Sequence, residues 1–134
     1  MNLETYPAKV LIALGEAIDG NEKILAWFLK NGYPEMAALA SAIRGSEPAF
    51  DWLMKHGFPH LGALDAAIDG RKKAYDWLVA KDMKLLVVFA DACRMKEYAI
   101  SWLGENKLDI FMHLAQKIHK LRSNQVWDYH KVHF

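Results

Sequence analysis

The five tryptophans of this chain, Trp27, Trp52, Trp77, Trp102 and Trp127, stand 25 residues apart. A fixed period of that size is the mark of similar supersecondary units stacked in series, none of which buries its apolar face alone. Other columns keep the same register. Ten residues before the tryptophans stand Ala17, Ala42, Ala67, Ala92 and then Lys117, followed one position later by Ile18, Ile43, Ile68, Cys93 and Ile118. Further upstream come Leu14, Leu39, Leu64, Phe89 and Leu114, and before them Leu11, Met36, Leu61, Leu86 and Phe111. Phe28, Leu53, Leu78 and Leu103 directly follow the first four tryptophans. The fifth copy departs from the pattern, because Gln125 and Asp128 fall in columns that are apolar elsewhere.

Each unit reads as two helices. In the second, Met36, Leu39, Ala42 and Ile43 share one helical face. Pro34 suits a first helical turn, where its missing N–H costs nothing. Gly45 ends that helix, as Gly20 and Gly70 do in their copies, since glycine accepts the left-handed C-terminal conformation. Ser46 and, one unit earlier, Asn21 are candidate N-caps for the second helix. That helix carries Ala49, Phe50, Trp52, Leu53 and Met54, and Gly57 stops it. In later copies Met95 replaces the first glycine, while Asp82 and Lys107 replace the second. Those turns are expected to be tighter, differently capped or somewhat strained. The spacing thus predicts one all-α domain over residues 1–134. It is a right-handed or gently curved solenoid of about five helix-turn-helix pairs, with units near 7–32, 33–57, 58–82, 83–107 and 108–134. Trp27, Trp52, Trp77 and Trp102 are expected in its core.

The segment Ala-Ile-Arg-Gly-Ser-Glu-Pro-Ala-Phe-Asp-Trp-Leu-Met-Lys-His-Gly, from Ala42 to Gly57, resembles the helical half of an ankyrin repeat. Shared features are a small-residue first helix, a turn glycine, an apolar second helix, and a second glycine 12 residues after the first, a spacing repeated from Gly20 to Gly32. The ankyrin β-hairpin and its Thr-Pro-Leu-His opening are missing, and the period is correspondingly shorter. The resemblance implies a helical-pair stack used for protein binding.

Bulk properties set outer bounds. An apolar content of 53% argues against disorder. A net charge of +1 supplies no global field for nucleic acid or anionic membrane. The longest apolar run, Leu85 to Ala90, is too short to span a bilayer. A single cysteine forbids an internal disulfide, and the first residues lack the basic start of a signal peptide. The expectation is a soluble, cytoplasmic monomer or weak dimer, with no membrane association.

The first helices carry a second face. One of its columns reads Asp19, Arg44, Asp69, Arg94 and His119, alternating in sign; its neighbours read Glu16, Ser41, Ala66, Asp91, Gln116 and Gly15, Ala40, Asp65, Ala90, Ala115. This is either a ladder of exposed ion pairs between units, each contributing roughly 0–1 kcal/mol, or a groove that receives a partner protein. On the second reading the contact residues are Glu16, Asp19, Arg44, Asp65, Asp69, Asp91 and Arg94. The alternative partner is nucleic acid, held by Lys117, Lys120, Arg122 and Lys131 among the C-terminal aromatics Trp127, Tyr129 and Phe134.

Catalytic signals are weak. Asp65 and Asp69 lie four apart on one helix and, with no third group converging, read as a solvated face. His113 and His119 point to different sides of a helix, His130 and His133 are too few for a metal site, and His56 and His60 flank a turn. Cys93 occupies an isoleucine column and reads as a buried thiol. No phosphate-cradling loop, GxSxG or HExxH pattern occurs. The reading is a non-catalytic adaptor or inhibitor without metal or cofactor.

Overall fold

The computed structural model describes residues 2–133, with side chains described through residue 124. After a short 3-10 turn (Leu3–Thr5) the described residues form α1 (Ala8–Ile18), α2 (Glu22–Lys30), α3 (Pro34–Ile43), α4 (Glu47–Lys55), α5 (Pro59–Ile68), α6 (Lys72–Ala80), α7 (Lys84–Cys93), α8 (Glu97–Glu105) and α9 (Asp109–His133). Eight of these make four consecutive pairs, α1–α2 to α7–α8. The expected fifth pair is absent. At residues 119–121, where the other units turn, α9 runs on. Leu121 stands where Asn21 and Ser46 cap their helices; it cannot accept a hydrogen bond and packs instead against the core.

The turns explain how so short a unit works. After α1, the Gly20 N–H donates to the Ala17 carbonyl and the Asn21 N–H to the Glu16 carbonyl. This paired-bond cap satisfies carbonyls that the helix end leaves open. The same two bonds recur after α3, α5 and α7, and the longer of the two recurs after each of α2, α4, α6 and α8. Gly45 sits at φ 108°, and nothing would lie within 4 Å of a Cβ there, so its requirement is conformational. Asp82, Met95 and Lys107 adopt φ of 56°, 62° and 58° in the equivalent places. Those turns are therefore neither tighter nor differently capped. They keep the motif at the strain of a left-handed side-chain-bearing residue. Asn21 and Ser46 serve as N-caps, their side chains accepting from the Lys23 and Ala49 N–H groups.

Packing sorts the helices into two layers. The inner one is cyclic: α1 packs on α3, α3 on α5, α5 on α7, α7 on α9, and α9 back on α1. Each outer helix, α2, α4, α6 or α8, packs on the inner helix before it and the one after it, and none packs substantially on another outer helix. The last inner helix thus meets the first, a closure that the expected right-handed or gently curved solenoid did not include. Small residues on the flanks of the inner helices (Gly15, Ala40, Ala90, Ala115) are buried there and allow close approach. At the join, a Cβ added to Gly15 would lie 3.2 Å from Lys117 and 3.3 Å from Leu114.

Of the two adjacent apolar columns, the one after the tryptophans is fully buried. Phe28, Leu53, Leu78 and Leu103 are each 0% exposed, and each such side chain contributes about 1.5–3 kcal/mol by burial. The preceding tryptophans, Trp27, Trp52, Trp77 and Trp102, are only partly buried and lie against the core. Trp27 stacks on Tyr33, and Trp52 on Phe58 and His56. Lys9, Lys81 and Lys84 place ammonium groups 5.4–5.9 Å from the rings of Trp27, Trp77 and Trp102. An indole's amphipathic ring suits that half-wet position. Trp127 lies outside the described side chains. The N-terminus is fastened by Tyr6, whose hydroxyl donates to the buried Glu35 carboxylate at 2.7 Å; burial first, and then Glu35 itself, hold the Tyr6 hydroxyl's pKa well above the usual tyrosine range.

Two substitutions test the turn chemistry. Gly45→Ala is expected to cost about 1–2 kcal/mol, and Met95→Gly to stabilise by up to about 1 kcal/mol, by urea unfolding. Equal effects at both positions would contradict a shared left-handed requirement. Closure is tested by Gly15→Leu, whose bulk at the α1–α9 join is expected to cost about 1–3 kcal/mol, with Ile12→Leu on the exposed face of α1 as the neutral control.

Candidate interaction surface

The residues that end α1, α3, α5 and α7 gather at one end of the inner layer, together with the middle of α9. The Arg44 Nη1 donates to the Ile18 carbonyl at 2.7 Å, and the Arg94 Nη1 to the Ile68 carbonyl at 3.5 Å. Each arginine therefore reaches back one unit to the last turn of the preceding inner helix, where the helix dipole is negative. Gly20 and Gly70 lie beneath these guanidinium groups: a Cβ on Gly20 would sit 3.3 Å from Arg44, and one on Gly70 would collide with Arg94. Asp19, at the same position in the first unit, pairs with Lys117 of α9 and so spans the join.

Arg122 reaches further. From α9 its guanidinium donates to Asp65 at 3.2 Å and also pairs with Asp69, both on the C-terminal half or cap of α5. Asp65 is 7% exposed, so the pair of aspartates is a clamp on Arg122 and not the solvated face expected from spacing. Burial raises the Asp65 carboxyl above the usual aspartate range, with Arg122 and Arg71 opposing the rise. Burial likewise lowers the pKa of Arg122, against the pull of Asp65. The Arg122 Nε is buried with no acceptor among the described residues.

Asp91 is 1% exposed and forms a second centre. It accepts from the Tyr75 hydroxyl at 2.8 Å and from the Tyr98 hydroxyl, and pairs with the Lys96 Nζ at 3.2 Å. This ties α7 to both flanking outer helices. Desolvation first, and then Asp91, raise the Tyr75 pKa.

The seven expected contact residues therefore divide. Asp65 and Asp91 are internal. Asp19, Arg44, Asp69 and Arg94 are exposed but bonded within the chain, and Glu16 is exposed on α1. Of the basic set, Lys117 and Arg122 are held by aspartates, Lys120 is exposed, and Lys131 lies outside the described side chains. Cys93 is buried, and burial pushes its thiol well above the usual range. Among the described residues no three His, Cys, Asp or Glu side chains are placed to hold a metal ion, and no helix is long and apolar enough to cross a membrane.

Three openings lie between the unit turns at this end. One of about 340 Å³ is lined by Glu47, Phe50, Asp51, Asp65, Asp69 and Arg71 among others. A second, of about 540 Å³, is lined by Ile68, Cys93, Arg94, Lys96, His119, Arg122 and Ser123. A third, of about 300 Å³, contains Lys72, Tyr75, Asp76 and Asp91 and shares Arg94 and Lys96 with the second. Glu47, Asp51, Arg71 and Lys96 were not singled out from the sequence. The residues just past the left-handed turn position, Arg71 after Gly70 and Lys96 after Met95, were the available signal.

Because folding raises the Asp65 pKa, the folded chain holds that proton more tightly than the unfolded one. Asp65 therefore costs stability as pH rises through its titration, and costs nothing below the ordinary aspartate range. Relative to wild type, Asp65→Asn is expected to gain stability as pH is raised from about 3 to about 7, by urea unfolding at each pH; a relative loss over that interval would refute the assignment.

Comparison with family models, with curated proteins and with solved structures finds no match to this chain.

Proposed function

We propose that this chain is a non-catalytic protein-recognition module, an adaptor or inhibitor built from short ankyrin-like helix pairs of 25-residue period. On this reading the units form a solenoid bent until its inner layer closes, and the partner docks where the inner helices end. The observation that carries the reading is the set of three openings, about 340, 540 and 300 Å³, between successive turns at that end. Closure removes the concave inner face on which an open helical array receives ligands, because the inner side chains there fill the core. The turn end keeps charged side chains at its rim: Asp19, Arg44, Asp69 and Arg94 in series, with Glu16, Glu47, Asp51 and Arg71 beside them. Mixed charges around shallow grooves favour selection among protein surfaces, since electrostatic complementarity sets register and on-rate. The alternative of nucleic-acid binding is less well supported, because Lys117 and Arg122 spend their charge on Asp19, Asp65 and Asp69.

The test compares two surfaces. Affinity capture from the native host with the wild-type chain is set against Glu47→Lys/Asp51→Lys, which reverses charge at the rim of the first opening. A second variant, Leu29→Ser/Val79→Ser, alters exposed apolar positions on the outer helices. The expected outcome is a partner whose affinity falls about tenfold or more in the first variant and is unchanged in the second. Loss confined to the second would move the docking site to the outer helices.

A further inference from the structure

The opening of about 540 Å³ differs from its neighbours in chemistry. The polar side chains that line it, Arg94, Lys96, His119, Arg122 and Ser123, bring hydrogen-bond donors from α9 and from the turn after α7, and no carboxylate is among the lining residues. The carboxylates that balance these cations stand elsewhere. Asp65 and Asp69 engage Arg122, and Asp91 takes Lys96. Arg94 has no carboxylate partner among the described residues; its one bond is the long contact of 3.5 Å to the Ile68 carbonyl. Arg122 is short of acceptors at its buried Nε. Ser123 meets the His119 ring at 3.4 Å, which places a hydroxyl and an imidazole side by side on one wall. Ile68 and Cys93, both buried, give the opening an apolar floor.

We infer that this opening receives a carboxylate-bearing side chain from an acidic segment of the partner protein, with Arg94 as the principal cation and His119, Ser123 and Arg122 as additional donors. The inference rests on the protein-recognition reading above and specifies its partner. An acidic segment is favoured over a bare anion because the apolar floor suits the methylene stem of a glutamate. A guanidinium offers a carboxylate a planar fork of donors, and charge-assisted bonds of this kind are the strong ones.

The probe is a blocked Gly-Glu-Glu-Gly tetrapeptide, titrated into the full ¹⁵N-labelled chain at fixed ionic strength, with inorganic phosphate in a parallel titration. Saturable shifts are expected at the amides of Cys93, Arg94 and Ser123. Arg94→Gln/His119→Gln is expected to weaken the peptide about tenfold, and Arg94→Lys, which keeps the charge but loses the planar fork, to recover only part of that loss. Ser123→Glu keeps the internal ion pairs and sets a like charge on the exposed rim; it is expected to abolish binding even if the double variant fails to fold. Shifts scattered over unrelated lysines, or unchanged affinity in Ser123→Glu, overturn the proposal. Phosphate binding tenfold tighter than the peptide overturns the carboxylate assignment. The two readings separate cleanly. If the peptide binds while capture of the partner is indifferent to Ser123→Glu, the opening stands and the docking site lies elsewhere. If Glu47→Lys/Asp51→Lys weakens capture while the peptide fails to bind, the docking end stands and the carboxylate pocket falls.

Discussion

The contact between α1 and α9 is the constraint on which the rest of the structure depends. Without it the chain would be a row with two uncovered ends, each showing the apolar face that a neighbour normally covers. With it, every inner helix has an inner neighbour on both sides. The force behind the join is apolar burial. Leu11, Leu14, Phe111, Leu114 and Ile118 are all nearly inaccessible, and Gly15 lets α1 and α9 approach side by side. The ion pair between Lys117 and Asp19 spans the same join, but both side chains are substantially exposed, so its share is about 0–1 kcal/mol.

Around that cycle each outer helix bridges two inner ones. Each is held by a fully buried large side chain, Phe28, Leu53, Leu78 or Leu103, joined in α8 by Ala99, and by a tryptophan that is partly buried. The polar connections serve the same geometry. Arg44 and Arg94 reach back one unit, Tyr75 and Tyr98 converge on Asp91 from either side, and Arg122 crosses from α9 to α5.

Much of this was legible in the amino-acid order. Gly20, Gly45 and Gly70 marked the ends of inner helices, Asn21 and Ser46 marked the starts of outer ones, and the Leu14 and Ile18 columns marked the core. These are local rules, each decided within a few residues. The meeting of α1 with α9 was not legible, because it depends on how all the helices pack in succession, summed over the chain. Trp52 was misplaced for a related reason: its column is as regular as that of Leu53, and periodicity alone does not say which of two adjacent columns points inward. Asp65 and Asp69 were read as solvated because their counter-ion, Arg122, lies more than fifty residues away and meets them only after closure. Even the alternating signs of Asp19, Arg44, Asp69 and Arg94 were visible without their use. A charge pattern shows which groups are present, and only the packing shows which carbonyl or carboxylate each one meets.

A cyclic inner layer also fixes how many members it holds. An open stack tolerates the gain or loss of a unit, since its caps move outward or inward with little other change. Here the ring of inner contacts has five members, α1, α3, α5, α7 and α9, and adding or removing one would require the α1–α9 join to be rebuilt. The continuation of α9 past the place where its predecessors turn, with Leu121 packed against the core in the position of a capping side chain, fits that limit.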